Sequence, residues 1–311
     1  MIVWLASYPK SGNTWLRAFL SAYFMTKDGK FNIENLDLIE SYPKADFFNN
    51  EIIEKGDVYK YWESSQKSIF DKKEIRFLKT HNALISRKES NFTYPKYTLG
   101  VIYIIRDPRN VITSSKNHNQ FETYDEAYEY LKNENAVTFN EVNKNFAKYE
   151  YITSWRTHYQ SWMMSKAYRR LSIKYEDMET SPHKTFRDVV VFINAVCKFN
   201  NRVDEVKLKN SIETTTFDKL KKFEEEGSFK ENVFLENKKI KPKFFLYSSI
   251  QTVINIRITP IWKPLQNSIV HISISESLIN KVSGVRSNAP IKAIKIPFVF
   301  SDFTFIYANE E

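Results

Sequence analysis

Between Ile2 and Phe24 the chain switches its hydrophobic period within a few residues, and this constrains the rest of the fold. Ile2-Val3-Trp4-Leu5-Ala6 is a short, continuously apolar run with β-branched residues, the pattern of a strand buried on both faces. Trp15, Leu16, Phe19, Leu20 and Tyr23 then recur at helical spacing. Between the two lies Ser7-Tyr8-Pro9-Lys10-Ser11-Gly12-Asn13-Thr14. A strand that turns sharply into a helix aims backbone N–H groups and the positive end of the helix dipole at one point. Lys10 adds a full charge there, and Ser11, Asn13 and Thr14 add side-chain donors. The stretch reads as a phosphate cradle. The plainer alternative is an ordinary strand–helix turn with a solvated lysine.

Three more segments place chemistry at strand ends. Glu74 to Thr80 reads as a strand that releases Lys79, Thr80 and His81 at its end, and ligands of open α/β sheets bind beyond the carboxyl ends of strands. Tyr97 to Arg106 is the clearest buried strand, rich in Val and Ile. It leads into Asp107 as N-cap and Pro108 in the first turn of a helix, with Ser114 eight residues after Arg106. Arg106 either forks onto phosphate oxygens or pairs with a carboxylate such as Asp107. Arg170 to Met178 reads as a further strand, and Ser181-Pro182 opens another helix carrying Val189, Val190, Phe192, Ile193 and Val196. Residues 25–73 read as short helices and loops. Residues 121–168 read as helical, with Trp155, Tyr159 and Trp162 as a core stripe and His158 structural. A helix begins at Phe217 and runs to about Glu226, before Gly227-Ser228-Phe229.

The cradle is not a Walker A loop, in which Lys follows the last Gly; here Lys10 precedes Gly12. The order Tyr8-Pro9-Lys10-Ser11-Gly12-x-Thr14-Trp15 resembles the 5′-phosphosulfate loop of the sulfotransferases that use 3′-phosphoadenosine 5′-phosphosulfate (PAPS). Lys79-Thr80-His81 resembles the Lys-[Ser/Thr]-His of the cytosolic members, Arg106 with Ser114 their 3′-phosphate motif, Tyr175-Glu176-Asp177-Met178 a family signature, and Thr215-Thr216-Phe217 their Thr-Ser-Phe segment. The resemblance implies a nucleotide-kinase-like α/β fold with a central, mostly parallel sheet flanked by helices. It implies sulfonate transfer from PAPS to an acceptor hydroxyl or amine, releasing 3′-phosphoadenosine 5′-phosphate (PAP), without a metal. Under it His81 is the general base. Lys10 stabilises the leaving charge with the loop residues Ser11, Gly12, Asn13 and Thr14, and Lys79 helps orient the sulfonate. Arg106 and Ser114 hold the 3′-phosphate, and Trp15, Tyr175, Thr215, Thr216 and Phe217 contact the adenine.

The resemblance covers residues 1–245, read as the catalytic domain, and leaves 246–311 as a tail of unassigned structure. The family's later Arg-Lys-Gly loop is missing after Lys241-Pro242-Lys243-Phe244-Phe245, and from Lys243 to Ser301 the only acidic residue is Glu276. Either a divergent extension closes the site differently, or the reading frame shifted near residue 245; the abrupt change favours the second. A catalytically impaired PAPS- or anion-binding relative and a Mg²⁺-dependent P-loop kinase or NTPase stay as alternatives.

Composition narrows the rest. A net charge of +9 favours anionic partners. Lys and Arg are dispersed without a basic stripe, which argues against nucleic acid. One cysteine, Cys197, rules out a disulfide framework, and no Cys/His cluster has zinc spacing. No apolar run reaches the ~18 residues of a membrane span, and no signal sequence or N-terminal anchor is read, so a cytoplasmic protein is expected.

Overall fold

A computed structural model of the chain describes residues 1–226. The break expected at residues 227–229, the loop expected after residue 245 and the tail 246–311 lie outside the described residues.

Within those residues the order is β1 (Ile2–Ser7), α1 (Asn13–Met25), β2 (Glu40–Ser41), α2 (Trp62–Asp71), β3 (Arg76–Thr80), β4 (Ser86–Arg87), β5 (Ser90–Asn91), β6 (Thr98–Ile105), α3 (Pro108–Asn119), α4 (Tyr124–Lys132), β7 (Val137–Val142), β8 (Asn145–Tyr151), α5 (Trp155–Met164), β9 (Arg170–Lys174), α6 (Tyr175–Thr180), α7 (Pro182–Cys197), α8 (Glu205–Thr214) and α9 (Phe217–Glu225). The main sheet has five strands in the order β2-β3-β1-β6-β9. Every neighbouring pair in it is parallel, with Ile2 opposite both Arg76 and Thr98. After β1 the chain lays β2 and β3 on one side of it and then β6 and β9 on the other. The order of strands therefore reverses at β1, where an open α/β sheet leaves a crevice at its carboxyl edge.

Strand alternation explains why β1 is apolar throughout. Val3 and Leu5 face one core with α1 and α7, where Leu16, Phe19, Phe186, Val189 and Ile193 are buried. Ile2, Trp4 and Ala6 face a second core with Leu78, Val101, Tyr103, Trp62 and Trp162. Trp4 is fully buried and its indole N–H donates to the hydroxyls of Thr93 and Thr98, which meets the cost of burying that donor. The Asp107 side chain caps α3 by accepting from the Arg109 N–H, with Pro108 at the first helical position. No helix among the described residues is long and apolar enough to cross a membrane.

Three expectations need correction. The stretch 121–168 is not continuously helical: β7 and β8 form an antiparallel hairpin. Asn143 and Lys144 both have positive φ, 53° and 62°, so a two-residue turn of the kind that suits tight hairpins joins the strands. Phe139 stacks on Tyr149 across the pair, with ring centroids 5.7 Å apart. The strand expected over Arg170–Met178 ends at Lys174, and a helix starts at Tyr175 with Glu176 and Asp177 in its first turn, where acidic side chains suit the dipole. The segment 25–73 also contributes β2, an edge strand of the main sheet.

Candidate functional site

The loop after β1 is shaped by two left-handed residues, Lys10 with φ 66° and Gly12 with φ 98°. Successive N–H groups in such a turn form an anion-binding concavity at the mouth of α1. Gly12 is required on two counts. A Cβ there would lie 2.5 Å from Tyr175 Cδ2, and its φ belongs to glycine. Gly12→Ala is therefore expected to lose about 2–4 kcal/mol of stability from strain plus overpacking, read as a lower melting temperature; an unchanged melting temperature would contradict this packing.

Asn13 anchors the same loop from below. Its Nδ2 donates to Leu5 O at 2.9 Å and to Ser7 Oγ at 3.2 Å. That amide, expected to face a phosphate, is instead committed to β1.

A cleft beyond the strand ends gathers most of the residues singled out in the sequence. The loop and α1 supply Lys10, Gly12, Asn13, Thr14 and Trp15; His81 follows β3 and Arg106 follows β6; Ser114 comes from α3, Tyr175 from α6 and Phe217 from α9.

Arg106 is 6% exposed, and its guanidinium lies over the Tyr175 ring, 4.0 Å from the centroid. Nη1 donates to Lys10 O at 2.8 Å, while Nε is buried without a hydrogen-bond partner among the described residues. Asp107 does not pair with it. That carboxylate bonds the Arg109 guanidinium at 3.0 and 3.1 Å. Trp15 meets Tyr175 edge-on, and its Nε1 is likewise buried and unpartnered among the described residues. Burial lifts the Tyr175 hydroxyl to a pKa of about 12, so it stays neutral.

The His81 ring is tied by Nδ1 to Ser7 O at 2.8 Å. A carbonyl only accepts, so Nδ1 carries the proton and the lone pair remains on Nε2. Burial first, and then the positive charge of Lys79, hold the His81 pKa well below its ordinary value, leaving the imidazole neutral. His158, fully buried, supports the turn: Nε2 donates to His81 O at 3.1 Å, and Nδ1 accepts from the Tyr103 hydroxyl at 2.8 Å. Burial pushes the His158 pKa to about 3.

Four of the expected site residues do not line the cleft. Ser11 is buried in the loop with Oγ unpartnered among the described residues. Lys79 lies 3.8 Å from Glu150 Oε2. The Thr215 hydroxyl donates to Ser211 O inside α8, and Thr216 is the exposed residue before α9. Sequence reasoning missed Ser7, Glu150 and His118. Ser7 carried no signal beyond ending the strand. His118 lies one turn beyond Ser114 on α3 and senses the charge of Lys10, and burial with that charge lowers its pKa to about 4; its spacing was available in the sequence. Glu150 needed the hairpin to be recognised.

The sequence model of the sulfotransferase domain family matches residues 2–244. Among solved structures, the chain is similar to the mouse sulfotransferase SULT7A1 complexed with PAP, at 19% identity over 82% of this chain and 79% of that one, with a TM-score of 0.47. It is also similar to retinol dehydratase in complex with androsterone and the inactive cofactor PAP, at 16% identity over 82% and 76%, with a TM-score of 0.46.

Proposed function

The chain belongs to the sulfotransferase domain family, and from that premise we propose that this cleft moves a sulfonate group from PAPS to an acceptor hydroxyl, with an amine as the lesser option. The observation that carries the reading is the imidazole of His81, neutral and with its free lone pair on Nε2, in the same cleft as the cradle and Arg106. The residues fit a doubly phosphorylated nucleotide. Arg106 Nε and Trp15 Nε1 are buried donors without partners among the described residues, and an anionic ligand brings acceptors to such groups.

Bound PAPS supplies the activated sulfonate. In the transfer one S–O bond breaks at the leaving phosphate and one forms to the acceptor oxygen. His81 Nε2 takes the proton that oxygen gives up. Lys10 and the N–H groups at the mouth of α1 oppose the charge growing on the leaving oxygen. Arg106, rigid on Tyr175, and Ser114 hold the 3′-phosphate and so distinguish the donor from ATP. Lys79 acts at one remove, through Glu150. A cytoplasmic setting belongs to the same proposal.

Calorimetric titration of the chain with PAP, with ATP for comparison, tests the donor assignment. Binding of PAP at least about tenfold tighter than ATP is expected, because a bidentate charge-assisted pair contributes that much or more. A folded chain that ignores PAP overturns the reading.

A further inference from the structure

Three consecutive residues at the end of β3 converge on one carboxylate. Glu150, on β8 and only 9% exposed, accepts at Oε1 from the His81 backbone N–H at 2.5 Å and from the Thr80 hydroxyl at 3.2 Å. Its Oε2 lies 3.8 Å from Lys79 Nζ. The neighbouring residue of β8 extends the grip: Tyr151 N donates to Asn82 Oδ1 at 2.9 Å, and Ala83 N donates to Tyr151 O at 2.8 Å. A carboxylate withdrawn from water is costly unless it is paired and hydrogen-bonded; this one is both, and its partners are the residue read as the base and the two residues before it.

We propose that Glu150 is a positioning residue for His81. It fixes the backbone of residues 79–81 so that Nδ1–H reaches Ser7 O and the lone pair stays on Nε2. It also pairs the Lys79 charge beside the ring. The proposal rests on the reading of His81 as the base. A carboxylate suits the task because one oxygen accepts from two donors while the other faces the Lys79 charge. The hairpin of β7 and β8, which carries Glu150, thereby becomes part of the site.

The test uses the whole chain with ¹⁵N-labelled histidine, the five histidines being separated by single substitutions. Glu150→Met keeps the bulk and removes the acceptor; Glu150→Gln keeps an acceptor oxygen. In the wild type His81 is expected as a single Nδ1–H tautomer. In Glu150→Met that signature gives way to a tautomer mixture, and the His81 amide exchanges about ten- to a hundredfold faster. PAP affinity and the protection of the His118 amide, inside α3, stay as in the wild type, and Glu150→Gln restores the single tautomer. Wild-type His81 behaviour in Glu150→Met overturns the proposal, as does an equal rise in exchange at the His118 amide, which marks general loosening. Should the methionine variant not fold, exchange in the wild type decides: a His81 amide as protected as those of β3 supports the clamp, and one as fast as an exposed loop overturns it. A wild type that fails to bind PAP defeats the functional reading instead, while the tautomer comparison still judges Glu150.

Discussion

Replacing His81 with alanine should lower kcat by about 10²–10⁴-fold while leaving the affinity for PAP within about twofold, the span that general-base catalysis covers. The two readouts separate because His81 reaches the cleft from β3, whereas the cradle is formed by the loop after β1. The pH dependence carries a second expectation with its sign fixed by the site. The active form is the neutral imidazole, present above its pKa in the folded chain. Burial and Lys79 lower that pKa below 6.5. The acid limb of kcat/KM should therefore fall below pH 6.5, with a flat rate across neutrality. Turnover retained in His81→Ala, measured with any acceptor the enzyme accepts, would remove His81 from the mechanism.

Arg106→Ala should weaken PAP binding by about 2–4 kcal/mol, roughly 30- to 1,000-fold in Kd. Two losses combine. The 3′-phosphate loses a guanidinium held rigid against Tyr175, and the loop loses the bond from Nη1 to Lys10 O. Arg106→Lys should recover only part of the loss, because an ammonium offers neither the fork nor the flat face. Titrating each variant with AMP, which lacks the 3′-phosphate, divides the effect: the defect should be larger for PAP than for AMP. Equal defects would place Arg106 in support of the loop alone, and an unchanged affinity for PAP would deny it both tasks.

The parts of this site that could be read from sequence are those whose signals are local. The apolar run of β1, the switch to helical spacing at Trp15 and the Asp107–Pro108 start of α3 each depend on a few adjacent residues, and each stands where expected. Resemblance then gathered Lys10, His81, Arg106, Ser114, Tyr175 and Phe217, which meet in one cleft. What stayed hidden is tertiary. Whether Arg106 would turn to Asp107 was open until Arg109 was seen to occupy that carboxylate. The aromatic content of residues 137–151 reads equally well as a helix until the positive φ of Asn143 and Lys144 closes a hairpin. With the hairpin unrecognised, no sequence pattern could connect Glu150 to residues seventy positions earlier. Thr215 and Thr216 matched a motif by order alone, and the helix boundary between them turns one hydroxyl inward and leaves the other residue in solvent.

The position of β1 at the centre of the sheet also sets the order in which the molecule can assemble. Both edges of β1 bond only to segments made much later, Arg76–Thr80 and Thr98–Ile105. During synthesis this apolar strand must wait unpaired on both sides until residue 80 has left the ribosome, and on one side until residue 105 has followed. Pairings at such sequence distance form slowly, and an uncovered apolar strand is prone to join another chain in the interval. The element that creates the anion cradle in the folded enzyme is thus the one most exposed to aggregation in the nascent chain, and its refolding yield should fall as protein concentration rises.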